Sequence, residues 1–141
     1  MKYVCDAGTK TWFRMENANE AALESSAMNH AVERFFRDNY DKVLKSYKPA
    51  GGLRAIEQSI GRQDFIQKTM PLFLTLRDAD GQPLVTAMLP PVGLDERTFR
   101  PIIVGPANAD PYPAHGDAIA VLGRHFKLKL DAATCFPYRR K

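Results

Sequence analysis

The chain has 141 residues, 45% of them hydrophobic and 26% charged, with a formal net charge of +4. That length and balance suit one soluble globular domain able to bury its own core without metal or disulfide staples. No apolar run reaches the roughly 18 residues needed to span a bilayer, and Met1–Asp6 lacks the apolar centre of a secretion signal, which predicts a cytoplasmic protein.

Tyr3–Asp6 and Thr11–Met15 are rich in β-branched and aromatic residues, and Gly8 lies between them, the pattern of a β-hairpin. Trp12 and Phe13 then face opposite sides of the sheet. The strongest periodic signal follows, from Ala18 to Tyr47. Ala18, Ala21, Ala22, Ser25, Met28, Val32, Phe35, Phe36, Tyr40, Val43 and Tyr47 recur on one broad side of a helical wheel, while Glu20, Arg34, Arg37, Asp38, Asp41 and Lys45 fall on the other. Asn17 or Asn19 is the expected N-cap, with Glu20 and Glu24 near the positive helix end. An unbroken helix of about 30 residues is roughly 45 Å long, against a radius of gyration of about 14 Å for a domain of this size. The pattern therefore predicts either a kink, with Asn39 the candidate, or a projecting end. Tyr40, Leu44 and Tyr47 on such an end would support self-association into a homo-oligomer.

Lys48-Pro49-Ala50-Gly51-Gly52 stops the helix. Leu53, Ile56 and Ile60 repeat at helical spacing up to Gly61, the expected C-cap, and a further turn or two from Asp64 to Met70 ends at Pro71. Leu72–Arg77 and Leu84–Leu89 flank Asp78-Ala79-Asp80-Gly81 and read as a hairpin central in the sheet, apolar enough to be covered on both faces. Phe99–Gly105 reads as a strand that Pro101 pushes to an edge or limits in pairing near its start. Pro106–His115 is a proline-braced loop. A helix opening at Gly116 or Asp117 runs to Phe126, and the segment Lys127–Lys141 fits a strand or a helical turn. No internal repeat, heptad array or low-complexity tract occurs. The sum is an α+β fold: a two-layer domain with an antiparallel sheet of four to five strands, packed by one long helix and shorter ones.

The net positive charge is local. Arg124, Lys127, Lys129, Arg139, Arg140 and Lys141 face a single acid, Asp131, beyond residue 123, and residues 1–123 are close to neutral. Such an end can contact an acidic protein or nucleic acid, or remain a solvated tail. Read as two short helices, Ala118–Phe126 and Asp131–Phe136, it faintly echoes a helix-turn-helix. The second helix is too short and lacks the Arg, Asn and Gln that read base edges, so weak nucleic-acid binding is only an alternative. Phe136 and Tyr138 are too few to anchor the chain on a membrane. Cys5 and Cys135 lie near opposite ends and read as reduced, buried thiols.

Catalytic motifs are scarce. No Gly-x-Ser-x-Gly, P-loop or paired metal-ligand spacing is present, so neither cofactor nor metal is expected. His30 falls opposite the apolar stripe and reads as a surface residue, with Ser26 one helical turn before it. The one segment dense in chemistry is Asn108–Asp117, where Asp110 or Asp117 could orient His115 as a general base beside Tyr112. The leading reading is a small cytoplasmic binding or regulatory domain without enzymatic activity. It would meet a protein partner through this loop (Tyr112) and the basic end. The alternative is an enzyme using His115 with Asp110 or Asp117.

Overall fold

The computed structural model describes residues 1–49, 51–52, 54–94, 97, 99–133 and 135. Five strands, β1 (Lys2–Ala7), β2 (Lys10–Arg14), β3 (Leu72–Arg77), β4 (Pro83–Leu89) and β5 (Ile102–Val104), form one sheet in the order β1-β2-β3-β4-β5. Every neighbouring pair is antiparallel. The helices are α1 (Ala18–Met28), α2 (Val32–Ser46), α3 (Ala55–Thr69) and α4 (Tyr112–Phe126). This is the expected α+β fold on an antiparallel sheet.

Both expected hairpins form, for local reasons. Gly8 turns β1 into β2 with φ +68. Between β3 and β4, Asp78 Oδ1 accepts from the backbone N–H groups of Asp80 at 2.9 Å and Gln82 at 3.0 Å, and Gly81 takes φ +82. β5 is shorter than Phe99–Gly105 because Pro101 contributes no N–H at its start, and it occupies an edge.

The long apolar stripe is realised as two helices. Asn29 adopts the left-handed conformation (φ 53) and ends α1, and α2 begins three residues later. Asn39, the expected kink point, remains inside α2 with its Nδ2 donating to Phe35 O at 2.8 Å. Asn17 is the N-cap of α1: its Oδ1 accepts from Glu20 N at 2.9 Å, and Glu20 Oε1 accepts in return from Glu16 N at 2.7 Å. Gly61 does not end a helix. It lies within α3, where an added Cβ would stand 3.0 Å from the Tyr47 hydroxyl, so it lets the end of α2 approach.

α4 also starts earlier than expected. Asp110 Oδ1 accepts from Tyr112 N at 3.0 Å, and a proline in the first turn loses no intrahelical bond, so the helix begins at Tyr112 and is kinked at His115. It closes with Lys127 in the left-handed conformation (φ 57) and Leu128 N donating to Gly123 O at 2.8 Å. No second helix forms among the described residues 131–133 and 135. Leu130, Ala132 and Cys135 are buried there instead.

The sheet carries helices on both faces. Trp12, Leu72, Leu74, Leu76, Val85, Ala87, Leu89 and Ile103 pack with Ala118, Ile119 and Leu122 of α4, and Trp12 Nε1 donates to Ala118 O at 2.9 Å. On the opposite face Met15, Met70 and Phe73 pack with Ala21 of α1 and Val32, Phe36 and Val43 of α2. No described helix is long and apolar enough to cross a membrane.

Candidate functional site

The residues of the proline-braced loop do not assemble as a base with its carboxylate. His115 is half-buried, and its Nδ1 lies 3.0 Å from Lys10 Nζ. An ammonium has only protons to give, so Nδ1 accepts and the imidazole proton resides on Nε2. Partial burial, and then the Lys10 charge, hold His115 below the ordinary histidine range. Asp110 is engaged at the start of α4, Asp117 is exposed, and no hydrogen bond joins either to His115 among the described residues. The contact the structure gives His115 is thus with a lysine, between α4 and β2.

Tyr112 likewise has an internal use. Its hydroxyl donates to Leu130 O at 3.3 Å, and burial, followed by the neighbouring Cys135, pushes the phenol well above its usual range. It ties the chain after α4 back to the core. Arg124, Lys127 and Lys129 are exposed, and Lys129 stands 3.8 Å from Asp131. Arg139, Arg140 and Lys141 lie outside the described residues. Cys5 and Cys135 both belong to the α4-side core and neither is in a disulfide among the described residues, Cys135 buried and Cys5 at its margin, where burial raises the Cys5 thiol pKa.

The densest polar constellation lies on the other face and includes His30, misread on the helical wheel. Glu24, expected near the positive helix end, is fully buried. Its Oε1 accepts from Arg77 Nη2 at 2.9 Å and its Oε2 from Thr86 Oγ1 at 2.6 Å. His30 is no surface residue: its Nε2 meets Thr86 Oγ1 at 2.8 Å. The single Thr86 proton goes to the carboxylate, so His30 Nε2–H donates to Thr86 and Nδ1 is left to accept from Val32 N at 3.4 Å. Ser25 accepts from Glu33 N through Oγ at 2.8 Å, and Ser26 is exposed. The chain Arg77–Glu24–Thr86–His30 thus fastens the α1–α2 joint to β3 and β4 and caps the first turn of α2. Burial lowers the His30 pKa, which keeps the ring neutral.

An open groove borders the same helices. It encloses about 760 Å³ between α2, α3 and the start of α1. Phe36, with Tyr40 stacked on it at 6.5 Å, and Ile66 form its apolar floor. Glu16, Asp41 and Asp64 stand at its margins, while the margin cation Arg37 is paired with Glu33 at 2.9 Å. None of the 15 residues of α3 is fully buried. Ile60, which lines the groove, is 61% exposed, and Ile56, one turn earlier on the same side, is 69% exposed. Tyr47 does not project outward, since its ring packs against Phe65 of α3 at 5.3 Å.

Among the described residues no three His, Cys, Asp or Glu side chains converge as a metal site. No family model, curated protein or solved structure matches the chain.

Proposed function

We propose that the protein is a binding domain that seats an amphipathic, basic segment of a partner protein in the α2–α3 groove. The observation that carries this reading is α3: a 15-residue helix with no fully buried residue and two isoleucines in water beside an apolar floor. Burying one such side chain is worth about 1.5–3 kcal/mol, so a partner covering Ile56 and Ile60 recovers free energy the isolated chain forgoes. Glu16, Asp41 and Asp64 around that floor favour lysine or arginine at the flanks of the incoming segment. The interaction surface thus moves from the proline-braced loop and the basic end, whose Tyr112 and His115 are engaged internally, to the opposite face. Two thiols, neither in a disulfide among the described residues, support a reducing, cytoplasmic setting.

The test is site-specific photo-crosslinking in the source cell, with the reactive residue at position 56 or 60 and, as a control, at 129. The reading expects the same protein captured from 56 and 60 but not from 129, joined through a basic segment, and lost on Asp41→Lys/Asp64→Lys substitution. Capture that is equal from 129, or unaffected by charge reversal, overturns it. A second copy of the chain at 60 replaces the partner by a homodimer.

A further inference from the structure

We infer that a second site, a pocket between the α1–α2 joint and the surface of β3–β5, binds a compact uncharged aromatic molecule bearing one hydroxyl. The pocket encloses about 310 Å³ and shares no lining residue with the groove, so this inference goes beyond the partner-binding reading and stands apart from it. That volume lies at the small end of ligand sites, which are mainly apolar with a few placed polar groups.

Its floor is buried and largely apolar: Phe73, Val32 and Val104 lie there, with half-buried Met88 beside them. Its mouth is marked by exposed residues, Ala31, Phe35 and Asn108. Phe35, Phe73 and the Met88 thioether provide the surfaces that aromatic rings pack against. Among the described residues no Asp, Glu, Lys or Arg lines the cavity. An ionic ligand would therefore lose its hydration with no countercharge in contact. Behind Thr86, Glu24 and Arg77 already neutralise each other, and Arg34 stands at the mouth with its guanidinium 5.8 Å from the Phe35 ring centroid.

Polarity is confined to His30, Thr86 and Asn108. The Thr86 oxygen gives its proton to Glu24 and receives one from His30, and a hydroxyl oxygen has two lone pairs. One more donor can be accepted there, and a ligand hydroxyl supplies one. The neutral His30 ring, held on both nitrogens, forms a fixed wall beside it. At the mouth, Ala107 and Asn108 are consecutive non-glycine residues in the left-handed conformation (φ 55 and 60), held by Gly105 N donating to Ala109 O at 2.8 Å. An uncommon backbone is thus what sets Asn108 against the pocket.

The experiment titrates the full chain with phenol, toluene and benzoate, following its methyl and amide NMR signals. Phenol is expected to shift Val32, Met88, Ile102 and Val104 and to leave Ile60 and Ile66 of the groove unmoved. Toluene, lacking the hydroxyl, binds several-fold more weakly, and benzoate at least about tenfold more weakly. Val104→Phe fills the floor and abolishes the shifts. Ala31→Phe, at an exposed position whose substitution spares the core, plugs the mouth and does the same. Benzoate binding as tightly as phenol, no phenol shifts in the pocket, or shifts that persist in Ala31→Phe overturn the inference. Loss of crosslinking at position 60 with phenol binding intact would remove the partner reading alone.

Discussion

Leu72, Leu74 and Leu76 leave one face of β3, and Phe73, Thr75 and Arg77 leave the other. The two sides are finished differently. Toward α4 the strand meets an almost wholly apolar layer, sealed by Trp12 and its hydrogen bond to Ala118 O. Toward α1 and α2 the same strand meets a buried ion pair, a threonine whose Oγ1 has no hydrogen-bond partner among the described residues, a pocket and an open groove. The strand is closely packed on the first side, whereas incomplete packing on the second leaves surface for a guest. Cohesion belongs to the α4 face, and the binding sites we propose belong to its opposite.

The sharpest way to break this comparison is Arg77→Ala, which strands the Glu24 carboxylate in the interior. Removing one partner of a buried pair costs about 3–5 kcal/mol, so urea unfolding should show the largest loss here. Glu24→Leu combined with Arg77→Leu should recover most of it, and failure to recover would mean that the pair contributes more than mutual neutralisation. On the α4 face, Leu74→Ala should cost about 3 kcal/mol through the cavity it leaves. It should do so without altering phenol binding or crosslinking at 60. A change in either would show that the faces are coupled through the sheet.

Acid provides a third test. The His30 pKa is lowered in the folded chain, so the unfolded chain binds the extra proton more readily. Stability is full above the unfolded value, about 6.5, and falls as pH drops below it toward the lower folded value. His115 is lowered as well and adds a slope of the same sign. Unfolding measured from pH 8 to pH 5 should therefore be steepest in the parent chain. It should flatten in part with His30→Gln and again with His115→Gln, and an unchanged slope in His30→Gln would place the acid sensitivity elsewhere. The smallest effect is expected at the end of α4. Lys127 has φ 57, and glycine removes the cost of a left-handed side chain, about 1 kcal/mol before the added freedom of the unfolded chain is subtracted. Lys127→Gly should raise the melting temperature slightly and leave both binding readouts alone.

Legibility in the sequence follows the same division. The β3–β4 hairpin could be read directly because Asp78 and Gly81 act within four residues of one another. The α1 cap was narrowed to Asn17 or Asn19 for the same reason, and the alternation of β3 and β4 and the covering of both their faces were readable too. The break at Asn29 was not, since the apolar stripe continues through it: α1 and α2 lie on one face of the sheet and need the same periodicity. The candidate site fared worse. Asp110, His115 and Asp117 are close in sequence, yet the kink of α4 turns His115 to Lys10, 105 residues away.

Composition and local pattern by themselves determined the fold class, the hairpins and the first helix cap, because short-range hydrogen bonds and side-chain alternation need no distant partner. Tertiary structure alone decided which polar residues are inside. His30 occupies the polar side of a helical wheel just as Arg34 and Asp38 do, and Glu24 reads as a charge near the helix start, yet partners from β3 and β4, 53 to 62 residues away, draw both inside. The same holds for Ile56 and Ile60. Helical spacing marks them as one face, but whether that face meets a core or water depends on where the rest of the chain packs.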